Sequence, residues 1–108
     1  MTLNEYQEGA VSTAVYQKEH EIIYPALGLN GESGEVAEKV KKMLRDDNGV
    51  LTEERHAALV KELGDCLWYV AVMARDLGVN LEEVAELNLQ KLASRKSRGV
   101  LTGSGDNR

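Results

Sequence analysis

Two pairs of acidic residues carry the chemistry that this chain can offer: Glu32 with Glu35, and Glu62 with Asp65. Each pair is spaced i, i+3, so on a helix both carboxylates of a pair lie on one face, one turn apart. Such spacing is common on solvated helix faces and says little alone. The neighbouring residues say more. From Cys66 to Ala74 the chain reads CLWYVAVMA, apolar all round, the pattern of a helix buried on every side. Glu62 and Asp65 enter that helix on the side shared with Tyr69, Val72 and Met73. Glu32 falls between Leu29 and Val36 in the apolar stripe of its own helix, with Glu35 at the stripe's edge. Acids thus stand where a packing helix would take leucine.

An ionised carboxylate in dry surroundings costs on the order of several kcal/mol unless it is paired, and four together repel one another. Lys39 and Lys61 are close enough in sequence to neutralise one or two of them, but both lie among solvent-facing neighbours. A hard divalent cation is the better partner, since magnesium takes one or two carboxylates together with water and phosphate oxygens. Two histidines and one cysteine form no zinc pattern, so magnesium is expected, with manganese as a substitute.

The elements that would position these acids follow from caps and breakers. A first helix is expected over residues 3 to about 20, with Thr2 or Asn4 available as its cap. Pro25 and Gly28 predict a turn or break over 22–29, before a strong helix that begins near Asn30 and stops at the turn residues 45–49. Thr52, followed by Glu53 and Glu54, opens a third helix that runs to about Leu77 and ends at Gly78. Asn80 opens a fourth, running to about Arg98. With no strand-like alternation and no repeat, the fold class is all-α: a four-helix bundle or its dimeric equivalent. Residues 1–98 form the helical domain, and residues 99–108, containing GSGDNR, are expected to be a flexible tail.

Composition narrows the function classes. The chain has 108 residues, 43% of them hydrophobic and 29% charged, enough for one domain with its own core. A formal charge of −5 gives no basic footprint, so duplex nucleic acid is not an expected partner. The N-terminal residues have no basic-then-apolar leader pattern and nowhere do 18 apolar residues run together, so neither secretion nor membrane spanning is expected. A single cysteine, Cys66, fits a reducing cytoplasm and reads as an inert core residue.

On the fourth helix Asn88, Lys91 and Arg95 recur at i, i+3 and i+7, one face that can offer an amide and two cations to phosphate oxygens. Trp68 and Tyr69 follow Asp65 closely. Tyr69, on the side of Glu62 and Asp65, is the better candidate to stack on a base, although large aromatics in a buried helix are more often core.

Three segments, GLNGESGEVAEKVKK (28–42), KELGDCLWYVA (61–71) and NLQKLASR (88–95), resemble the MazG-like nucleotide pyrophosphohydrolases in order and spacing. The likeness covers roughly residues 6–98. It implies a four-helix domain of the all-alpha NTP pyrophosphatase type, completed by oligomerisation as a homodimer or homotetramer. It also implies an enzyme acting on acid anhydrides, which hydrolyses a nucleoside triphosphate, a standard or modified deoxynucleotide, to the monophosphate and pyrophosphate in a house-cleaning role. Carried over residue by residue, Glu32, Glu35, Glu62 and Asp65 become metal ligands around magnesium, and Glu32 or Glu35 the base for water attacking the α-phosphorus. Asn88, Lys91, Arg95 and Tyr69 become substrate contacts. The family often has a further glutamate just before its first acidic pair, and here Gly31 fills that slot, which leaves the identity of the base open.

Two other readings fit the same residues. One is a relative that cleaves phosphoribosyl-ATP, which shares the architecture and the carboxylates. The other is a non-catalytic helical dimerisation module whose acids form ion pairs that set register.

Overall fold

Short polar side chains start three of the four helices. Thr2, Thr52 and Asn80 accept the backbone N–H groups of Glu5, Arg55 and Glu83, and Glu5 returns the bond to Thr2 to complete a capping box. The computed structural model describes residues 1–108. They form α1 (Leu3–Val11), α2 (Ile23–Asp46), α3 (Glu53–Asp76) and α4 (Leu81–Ser97), with a 3-10 turn at Lys18–His20 and no strand. The all-helical class with four helices is as expected from the sequence.

Two boundaries differ. α1 stops at Val11, well short of residue 20, because Ser12 and Thr13 turn their hydroxyls back onto the carbonyls of Gly9 and Ala10. α2 starts at Ile23, seven residues before Asn30. Pro25 sits in its first turn, where a missing N–H breaks no helical bond. The break falls instead on Ile22, whose φ of 68° and ψ of −52°, with Ile23 N–H bonded to the Glu21 carbonyl at 2.7 Å, make a γ-turn of the rare positive-φ kind. For a β-branched residue this conformation costs about 1–3 kcal/mol, so something must hold it. Asp76 does so from the end of α3, accepting the Ile22 N–H at 2.9 Å and the Tyr16 hydroxyl at 2.7 Å.

α2 and α3 pack along their length as an antiparallel hairpin, while α1 and α4 pack on α3. Ala10, Ala71, Val72 and Leu81 form the core where α1, the second half of α3 and the start of α4 meet. Gln7 locks that junction: buried, it donates to the carbonyls of Ala71 and Val79 and accepts the Leu81 N–H. Only eight of the 108 residues are buried, so α3 is not wrapped on every side as CLWYVAVMA suggests, and Leu63 and Leu67 remain exposed. The radius of gyration is 16.8 Å, against about 13 Å for a close-packed chain of this length. One chain therefore forms an open arrangement of helices.

Candidate functional site

The α2–α3 hairpin sets Glu32 opposite Glu62 and Asp65. One carboxylate oxygen from each lies within 4.8 Å of the others. Their surroundings are unequal. The Glu62 side chain is only 13% exposed; its Oε1 accepts the Lys39 ammonium at 2.7 Å, and its Oε2 is buried with no hydrogen-bond partner. Glu35, one turn along α2, is 56% exposed and 3.8 Å from Lys39, outside the close trio.

The proton affinities follow from this crowding. Glu32 is raised above the usual carboxylate range, first because its carboxyl meets that of Glu62, then through partial burial and the charges of Asp65, Glu62 and Glu35. The Lys39 bond holds Glu62 below the usual range against the opposing effect of burial. Lys39 in turn is raised, chiefly by that same bond to Glu62. Three carboxylate oxygens within 4.8 Å of one another, with the second oxygen of Glu62 buried and unpartnered at one of those carboxylates, call for either a shared proton or a cation. An all-oxygen donor set suits a hard dication.

Aromatic rings wall one side. Tyr69 lies against the backbone of Gly28, where any Cβ would collide with its ring. It meets the Trp68 ring edge-on at 5.0 Å and Tyr24 at 6.4 Å, and Tyr24 stacks on Tyr16 at 4.8 Å. Burial raises the Tyr69 hydroxyl, with the charges of Tyr24, Glu32 and Asp65 adding to it. Tyr6 of α1 is raised by burial and then by Asp65. Trp68 donates to the Thr13 hydroxyl at 2.8 Å, a structural role.

The α4 residues stand elsewhere. Asn88 lines a shallow apolar groove with Leu67, Val70 and Val84, and Lys91 is exposed and makes no ion pair. Arg95 is only 7% exposed, and its Nη2 donates to the Asp106 carbonyl at 2.9 Å because residues 99–108 fold back over it. Arg108 closes that segment on itself through the carbonyls of Val100, Leu101 and Gly105. Within one chain, then, Glu32, Glu62, Asp65 and Tyr69 come together, Glu35 lies at the margin, and Asn88, Lys91 and Arg95 touch none of them. Lys39 is the residue that sequence reasoning undervalued. Its i, i+4 spacing from Glu35 was visible, but its reach to Glu62 depends on the hairpin register.

The family model for the MazG nucleotide pyrophosphohydrolase domain matches residues 19–100. The chain is also similar to the Gene 37 protein of Mycobacterium phage L5, at 49% identity over 114 residues and with 100% of each chain covered. No solved structure matches it. None of its helices is long and apolar enough to cross a membrane.

Proposed function

Since the chain belongs to the MazG nucleotide pyrophosphohydrolase family, we propose that it hydrolyses a nucleoside triphosphate, a standard or modified deoxynucleotide, to the monophosphate and pyrophosphate. The observation that carries this reading is the Glu32–Glu62–Asp65 trio with its orphaned Glu62 oxygen, a cluster of hard ligands set across the α2–α3 hairpin. Glu32, Glu62 and Asp65 would hold magnesium or manganese. A dication bound there supplies charge neutralisation for the phosphates and a more acidic attacking water.

The chain's own groups do the rest. Glu35, exposed and outside the trio, is the carboxylate left free to take the proton of the attacking water. Tyr69, packed on Gly28 and Trp68, offers a ring beside the acids on which a base could stack, while Asp65 stays exposed. Asn88, Lys91 and Arg95 bind phosphate oxygens from the fourth helix once that helix faces a neighbouring site. The open single chain, with Leu27, Leu44, Leu63 and Leu67 exposed, favours a homodimer or homotetramer. Cys66, a free thiol, suits work in the cytoplasm.

A panel of nucleotides incubated with magnesium tests this, with phosphoribosyl-ATP included and the products resolved. Monophosphate plus pyrophosphate from deoxynucleotides supports the reading. Diphosphate plus phosphate, or turnover confined to phosphoribosyl-ATP, overturns it. Absence of turnover together with absence of any magnesium-dependent stabilisation would favour the dimerisation module.

A further inference from the structure

The Glu62 side chain is only 13% exposed, and its two oxygens have opposite fates. Oε1 is taken by Lys39 at 2.7 Å, whereas Oε2 is buried and unpartnered, on a carboxylate of which one oxygen lies within 4.8 Å of oxygens of Glu32 and Asp65. A glutamate has three side-chain torsions and could leave a crowded interface in several ways. Lys39 removes that freedom, because its stem starts on α2 and its ammonium reaches across to α3. From these distances we infer that Lys39 is a positioning residue: it grips one oxygen of Glu62 so that the other is aimed into the trio, ready for a dication. This rests on reading the trio as a metal site.

A second effect opposes it, since a lysine charge beside the trio also repels a dication. Lys39 is 25% exposed and its charge is bonded to Glu62 Oε1, so solvent and that carboxylate reduce the repulsion. Loss of the grip acts where screening is weakest, leaving a second orphaned oxygen on a side chain that is 13% exposed. Groups that hold a ligating side chain from behind are typically worth about 10–100-fold in metal affinity, and that sets the sign. Lys39 also stands 3.8 Å from Glu35, so the same ammonium ties the carboxylate free to act as base to one inside the trio.

The test is manganese binding to the full-length protein without nucleotide, read by electron paramagnetic resonance. Lys39→Met should weaken manganese binding about tenfold or more, and Lys39→Arg, which keeps both charge and reach, should recover most of it. Glu62→Gln serves as the reference and should abolish the site. If Glu62→Gln binds manganese as the parent does, the metal-site reading itself falls. If Glu62→Gln loses the ion while Lys39→Met binds it as tightly as the parent or more tightly, Lys39 has no positioning role. Circular dichroism establishes that each variant keeps its helices. Should Lys39→Met not fold, a folded Lys39→Arg with no more manganese than Glu62→Gln overturns the inference equally.

Discussion

Asp76, at the last residue of α3, accepts the backbone N–H of Ile22 at 2.9 Å, so one carboxylate fixes the strained turn from which α2 departs. Its side chain is fully buried, and it also accepts the Tyr16 hydroxyl and the Arg75 Nε, each at 2.7 Å. The entry of α2 sets the height of Gly28 and Glu32 against α3, which makes this distant clip part of the site's geometry.

Replacing Asp76 with alanine leaves three donors without their acceptor and a γ-turn without its clamp. The expected loss is about 3 kcal/mol or more, a large share of what a small domain has. Urea unfolding measures it, and a loss no greater than that of an exposed substitution would refute the role.

Acid should act through the same residue. Burial pushes the Asp76 carboxyl up, but the bonds from Ile22, Tyr16 and Arg75 outweigh it and hold it below the usual range. A depressed carboxylate contributes stability that is whole above its unfolded pKa, about 3.9, and is lost as pH falls through the lower folded value. Melting temperature followed below about pH 4 should therefore drop less steeply in Asp76→Asn than in the parent.

Glu32 has the opposite sign. Its proton affinity is raised, so at neutral pH its ionised form opposes folding of the metal-free chain, and stability is regained as pH falls through the raised value. Glu32→Gln should melt higher than the parent at pH about 8 without metal, well above the ordinary carboxylate range, and should lose manganese binding and turnover. Thermal melts with and without manganese read both effects together.

Gly28 and Tyr69 should behave as a coupled pair. Alanine in a helix normally gains about 0.5–1 kcal/mol over glycine, and Gly34→Ala, with open space at its Cβ position, should show that gain. Gly28→Ala meets the Tyr69 ring instead and should cost about 1–3 kcal/mol. Adding Tyr69→Ala to Gly28→Ala should remove most of the penalty, whereas additive losses in the double-mutant cycle would rule out the contact.

Removing residues 100–108 frees Arg95 from the Asp106 carbonyl. If Arg95 serves phosphate, the truncated chain should show a KM for the triphosphate that is severalfold lower, with kcat little changed. An unchanged KM together with a less stable protein would assign Arg95 to holding the tail.

The helix count, the Thr52 and Asn80 caps and the pairing of acids one turn apart were legible in the sequence, because each depends on residues within four positions of one another. The early end of α1 was in principle local too, written in Ser12 and Thr13, and was masked by the apolar repeat that continues past them. Tertiary structure alone decided which acids meet: the register of α2 on α3 brings Glu32 to Glu62 and Asp65 and leaves Glu35 at the edge. The same register gives Lys39 its partner, and a carboxylate 54 residues away allows α2 to begin at Ile23. Spacing along a chain determines which side chains share a helix face. Which face meets which, and at what height, is determined by packing between segments that are far apart in sequence.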